Sequence, residues 1–445
     1  MKEGMKMALI EAKTKLGTFV GIEDDHPQYT VFKGVPYAKA PVGDLRWQKP
    51  QPLEPFKGKY IADTFGPISC QSRHEIGSFY QKEFFDHQEA MSEDCLYLNI
   101  WTPAKTNTDH LPVLLWIHGG AFTGGYGHEK EFDGEAFCKQ GVILVTINYR
   151  LGILGFLSHP WLQKEGQTGN FGIYDQIAAI QFVHDHIEAF GGDPNNITIM
   201  GQSAGSRSVQ IICSTDKTKG LFSKAIMQSA AGTQSICQEL TQEKQSAIVE
   251  KMVADLGYTS LEELKATPYK VLIHDFYDYM NEHQLNQIEV LGPNIDGDLL
   301  TKSCDELLEE GKFHDIPYMI GSTKDELFSK DIALKIAAST YGFAYLQSYL
   351  HTQPVYVYYF EKDLPGDDSG AFHSGELWYE FGTLKRAWRP FDQKDEILSN
   401  KMVTYWSEFI KKGDPNHLDL PAWPRWSEMD KKILVLNDEI KLKQD

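Results

Sequence analysis

Short runs of apolar, largely β-branched residues recur along the chain at 113–117, 142–147, 197–200, 225–227, 318–320, 355–360 and 433–436, separated by longer stretches of mixed polarity. Unbroken runs of this kind predict strands buried on both faces, as in a mostly parallel sheet covered by helices. Between two of them, Ile177, Ile180, Val183 and Ile187 recur at steps of three, three and four. That spacing predicts a helix over 175–190 lying on the sheet, with Asp175 as its cap and Gly191-Gly192 as its stop. The first 60 residues are richer in Gly, Pro and β-formers and predict an antiparallel hairpin leading into a Pro-rich loop. No repeat, low-complexity tract or Ser/Gly linker divides the 445 residues. The pattern therefore predicts one elaborated α/β domain spanning 1–445, built around a central, mostly parallel twisted sheet flanked by helices.

Composition narrows what such a domain does. A formal charge of −19, from 43 Lys+Arg against 62 Asp+Glu, argues against nucleic acid as a partner, which calls for a basic footprint. No segment approaches the roughly 18 apolar residues of a membrane span, and the N-terminal residues lack the apolar core of a secretory signal. Six cysteines at 70, 95, 138, 213, 237 and 304 form no CxxC pair. These features predict a cytoplasmic, monomeric protein with inert thiols. Asn196-Ile-Thr198 reads as a chance sequon in that setting.

The chemistry is concentrated where Ile197-Thr-Ile-Met200 runs into Gly201-Gln202-Ser203-Ala204-Gly205, followed by a helix-compatible segment. Strand, G-x-S-x-G and helix form the context of a nucleophile elbow. The turn leaves no room for bulk at Gly201 or Gly205, and it pushes the Ser203 hydroxyl into the open. A serine attacking a carbonyl creates an oxyanion, which backbone N–H groups fixed in advance can stabilise. The strand 113–117 ends in His118-Gly119-Gly120-Ala121-Phe122, a Gly-rich strand end able to turn amides inward. Gly120, Ala121 and Ala204 are the predicted oxyanion donors, and His118 is predicted to fix the loop rather than act as base. A serine nucleophile needs a base, and spacing does not choose among the six histidines that follow Ser203, at 274, 283, 314, 351, 373 and 417.

Several segments in order along the chain resemble the type B carboxylesterases, the esterase/cholinesterase family of α/β-hydrolases. They include Phe32-Lys-Gly-Val-Pro-Tyr37, Ser92-Glu-Asp-Cys-Leu-Tyr-Leu-Asn99, Trp116-Ile-His-Gly-Gly-Ala-Phe122, Gly169-Asn-Phe-Gly-Ile-Tyr-Asp-Gln176, Phe190-Gly-Gly-Asp-Pro194, Gly321-Ser-Thr-Lys-Asp-Glu326 and Phe372-His-Ser-Gly-Glu376. The resemblance implies the α/β-hydrolase fold with an N-terminal antiparallel hairpin, and a serine hydrolase acting on carboxylic esters without a cofactor or metal. It also implies that His373 is the base and Glu326 the acid that orients it, with Asp325 as the neighbour to keep in view. Arg46 with Glu93 and Arg150 with Asp175 resemble the family's ion pairs, and Cys70 with Cys95 matches its first disulfide-closed loop.

The chain also departs from the family. Gln202 stands where cholinesterases carry glutamate, Phe84 and Phe85 stand where they carry a choline-binding Trp, and Arg207 occupies a position where small side chains are usual. Only 47 residues separate Glu326 from His373, where relatives use roughly twice that, a length change of the kind loops tolerate. The gap falls soon after Phe328 and predicts a shortened wall beside the site. The substrate is predicted to be a small to medium ester, apolar or aryl, bound near Phe122 and Tyr126. Acyl transfer by the same residues is the alternative chemistry, and a non-catalytic binding module is the alternative without any.

Overall fold

The computed structural model describes residues 8–23, 28–86, 88–236 and 238–444. Its main sheet has eleven strands: β1 (Ile22–Glu23), β2 (Thr30–Pro36), β3 (Tyr97–Thr102), β4 (Leu111–Ile117), β5 (Ile143–Ile147), β6 (Gly192–Gln202), β7 (Lys224–Gln228), β8 (Tyr318–Thr323), β9 (Val355–Phe360), β10 (Lys432–Leu436) and β11 (Lys441–Gln444). They lie in the order β11-β10-β9-β8-β7-β6-β4-β5-β3-β2-β1. Pairing is parallel from β5 through β4, β6, β7, β8 and β9 to β10, and antiparallel at both edges. This is the α/β-hydrolase architecture that the resemblance implies.

The unbroken apolar runs are explained by burial on both faces. Val113, Leu115 and Ile117 of β4 join one core, whereas Leu114 and Trp116 between them join the other. The first core is covered by α1 (Phe171–His186) and α2 (Ala204–Cys213), the second by α4 (Gln393–Lys412), while α3 (Lys330–Leu350) packs across β8 and β9. The predicted hairpin is present as Glu11–Lys13 paired antiparallel with Thr18–Val20, and Lys59–Ile61 joins it in parallel. Among the described residues no helix is long and apolar enough to cross a membrane.

One expectation is corrected here, and the open question of the Cys70–Cys95 loop is answered. The sheet helix begins at Phe171 rather than Asp175, and Asp175 is no cap. Its carboxylate is fully buried and takes Arg150 Nε at 2.8 Å and Nη2 at 2.7 Å, so its charge is neutralised inside the core. Gly191, with φ of 84°, does end the segment. The loop disulfide is absent: Cys70 and Cys95 are free, buried thiols, as are Cys138, Cys213 and Cys304, while Cys237 lies outside the described residues. Burial pushes the Cys70 thiol up to about 12, which starves it of the thiolate that disulfide chemistry needs.

Candidate active site

Four loops leave the carboxyl ends of neighbouring parallel strands β4, β6, β8 and β9, where open α/β sheets place their ligands. The loop after β6 is the sharpest. Ser203 has φ of 56° and ψ of −126° between Gln202 and the first residue of α2, a conformation that costs a non-glycine residue about 1–3 kcal/mol and persists only where its surroundings enforce it. Here the Ser203 N–H is tied to Gln228 O at 2.8 Å, and Ser203 O accepts from Arg207 N at 3.0 Å. The flanking glycines are sterically required. A Cβ at Gly201 would stand 2.4 Å from Gly205 O, and one at Gly205 would stand 2.0 Å from Ile117 O.

The loop after β4 lies against this turn, since a Cβ at Gly119 would come within 3.1 Å of Ser203 Cβ. Gly120, Ala121 and Phe122 follow with φ of 98°, 53° and 61°, an unusual left-handed run for two non-glycine residues. Gly120 O gathers the N–H groups of Thr123 and Gly124, each at 2.9 Å. The N–H groups of Gly120, Ala121 and Ala204 donate to no partner among the described residues. His118 fixes the loop as predicted: its Nδ1 is 2.8 Å from Gly119 O, its ring stacks on Tyr149, and burial lowers it to about 4, leaving it neutral.

The remaining two loops bring His373 to Glu326. His373 Nδ1 is hydrogen-bonded to Glu326 Oε2, and Glu326 Oε1 accepts from Thr323 N at 2.9 Å. The glutamate is fully buried. Asp325 plays a different part, exchanging backbone and carboxylate hydrogen bonds with Ala371 and so pinning the two loops together. Sequence reasoning missed the contact on the other ring nitrogen, where Gln202 Nε2 lies 3.2 Å from His373 Nε2. With Nδ1–H donated to Glu326, the Nε2 lone pair faces the carboxamide, and this is the tautomer a general base requires.

Behind the pair lies a pocket of buried acid. Glu376, three residues past His373, is pushed up to about 8 by burial and then by the charge of Glu326, and Glu380 is raised by burial and Glu376. The structure also answers the remaining expectations. Arg207 is buried, with Nε on Glu239 Oε1 at 2.7 Å and Nη1 on Gln210 Oε1 at 2.8 Å, so its charge is compensated inside the protein. Phe122 is wholly buried against Phe156, and Tyr126 is buried with its hydroxyl on Glu89 at 2.8 Å. Both side chains are thus largely taken up in packing, and Tyr126 also lines a cavity with Phe65, Glu89, His128 and Trp388. The aromatic surface near the dyad comes instead from Phe79, whose ring meets Phe372 at 4.9 Å and Phe328 at 5.0 Å, both edge to face. Their chain positions beside Glu326 and His373 were the available signal. The 1070 Å³ cavity around Cys213, Lys217 and His314 lies at the amino ends of β7 and β8, away from these loops.

Known proteins resemble this chain throughout. The profile of the carboxylesterase family matches residues 9–340 and 328–445. The para-nitrobenzyl esterase of Bacillus subtilis (strain 168) is 32% identical over 467 residues, covering 93% of this chain and 92% of that protein. Liver carboxylesterase 1 of Oryctolagus cuniculus is 30% identical over 504 residues, covering 92% and 86%. A solved structure of a thermophilic PNB esterase superposes with a TM-score of 0.87 at 29% identity, covering 98% of this chain and 97% of that one.

Proposed function

The chain belongs to the carboxylesterase family and is a carboxylic ester hydrolase, and from that premise we propose that Ser203, His373 and Glu326 perform the hydrolysis through an acyl-enzyme. Ser203 Oγ attacks the ester carbonyl while His373 Nε2 takes its proton, displacing the Gln202 amide from the lone pair. Glu326 holds Nδ1–H and stabilises the imidazolium. The N–H groups of Gly120, Ala121 and Ala204 receive the oxyanion. The C–O bond then breaks, the alcohol leaves with the proton from His373, and water repeats the sequence against the acyl group to release the acid and restore Ser203. The reading is supported by one observation: Gln202, beside the strained Ser203, lies 3.2 Å from the carboxylate-bound His373, and the loop of Gly120 and Ala121, whose N–H groups find no partner among the described residues, packs on the same turn. Steady-state hydrolysis of p-nitrophenyl esters tests it. Turnover should vanish in Ser203→Ala, and turnover retained there would contradict the assignment.

The same reading treats 1–445 as one catalytic domain with a shortened wall after Phe328. It is supported by the family match dividing at 328–340 and by the exposure of Leu327 and Phe328 beside the acid. Small to medium apolar or aryl esters suit the accessible rings of Phe79 and Phe328, which the buried Phe372 backs, and a panel varied in acyl length and alcohol bulk tests that preference. The unbonded thiols support a cytoplasmic location, which cell fractionation tests.

A further inference from the structure

The left-handed run at Gly120, Ala121 and Phe122 stores strain, and something outside the loop must hold it. One restraint is backbone: Gly152 N donates to Phe122 O at 2.7 Å. The other is a side chain from a segment 54 residues away in sequence. Gln71 Oε1 accepts from Gly125 N at 2.8 Å, and Gln71 Nε2 donates to Gly125 O at 3.0 Å. The carboxamide thus binds one residue's backbone at both its N–H and its C=O, as a neighbouring strand would. The same Nε2 donates to Ser69 O at 3.1 Å, and Ser69 Oγ accepts from Leu151 N at 3.2 Å. Both restraints therefore end on the segment Arg150 to Gly152, which the buried Arg150–Asp175 pair anchors. The fit at Gly125 is tight, because a Cβ there would stand 2.5 Å from His118 Nδ1.

We infer that Gln71 is a positioning residue for the oxyanion hole, clamping the far end of the loop so that the amides of Gly120 and Ala121 stay aimed at Ser203. This rests on the proposed hydrolytic role of that loop. Neither an aliphatic isostere nor a carboxylate can replace the clamp, since the first offers no hydrogen bond and the second cannot donate to Gly125 O.

Gln71→Leu and Gln71→Glu test the inference on p-nitrophenyl acetate and on a trifluoromethyl ketone, whose adduct with the serine carries an oxyanion. Gln71→Leu should lower kcat roughly 10- to 100-fold, leave KM close to the parent's, and weaken the ketone by a comparable factor. In Gln71→Glu the introduced carboxyl regains a donor when protonated, so its activity relative to the parent should rise as pH falls. Glu129, pushed up by burial and bound to Tyr126 N, and the neutral His118 flank the same loop, and taking the ratio at each pH removes the part of their titration common to both proteins. A parental kcat in Gln71→Leu, a kcat loss with unchanged ketone affinity, or a pH-independent ratio in Gln71→Glu overturns the clamp. If Gln71→Leu does not fold, the Gln71→Glu ratio decides alone. A parent enzyme that turns over no ester strikes the hydrolase reading instead, so the two failures are distinguishable.

Discussion

Gln202 Nε2 stands 3.2 Å from His373 Nε2, so a neutral carboxamide rather than a charge faces the nitrogen that would take the serine proton. The imidazole is otherwise faced by Glu326, with Glu376 beyond it. Gln202→Glu would place a carboxylate at hydrogen-bond range, which favours the imidazolium and raises the histidine pKa. Less neutral base then remains at any given pH. The acid limb of the kcat/KM profile is expected to move up by roughly one unit, and an unmoved limb would separate Gln202 from the base.

Glu326→Gln keeps the shape of the acid, but its neutral amide does not stabilise the imidazolium, and its NH2 can face Nδ1 and favour the wrong tautomer. By comparison with other serine triads, kcat should fall on the order of 10³- to 10⁴-fold. Circular dichroism should show the fold intact. A loss below tenfold would point to another acid.

Glu376 gives a stability prediction with a definite sign. Its folded value of about 8 lies above that of an exposed glutamate, so between these values the folded state holds a proton that the unfolded state does not. Its contribution is complete below the unfolded value and is lost as pH rises through the folded one. Gln at 376 escapes this loss. Urea midpoints of Glu376→Gln should therefore gain on the parent between pH 5 and about 8 and level off above; parallel midpoints across that window would contradict it.

The Arg150–Asp175 pair is almost completely buried, with side-chain exposures of 3% and 0%. Asp175→Ala leaves an uncompensated guanidinium inside the core and should cost about 3–5 kcal/mol by urea unfolding. A cost under about 1 kcal/mol, typical of surface pairs, would show that water reaches the site.

The hydrophobic runs located the parallel strands because burial on both faces removes alternation, but they placed the sheet helix four residues late. Asn170 stands at the cap position, but Phe171, Ile173 and Tyr174 at the helix start are buried on more than one side and break the single stripe, and Asp175 looks like a cap until Arg150 is found beside it. The sharp turn at Ser203 was legible because strand, turn and helix adjoin in the chain. The pairing of His373 with Glu326 was not legible from spacing among six histidines, since the lengths of intervening loops carry no geometric signal, and only the resemblance pointed to it. The burial of Phe122 and Tyr126 was not legible, because proximity to the loop after β4 in sequence says nothing of which way a side chain turns. The contacts of Gln202 and Gln71 join segments distant in sequence and were visible only in the fold.

Fluorophosphonate labelling followed by peptide mass mapping tests the central claim, that Ser203 is a nucleophile activated by His373 and Glu326. The probe is expected to modify Ser203 in the folded parent, fail in urea, and react far more slowly in His373→Ala. Labelling at another residue, or undiminished labelling of Ser203 in His373→Ala, would contradict the account.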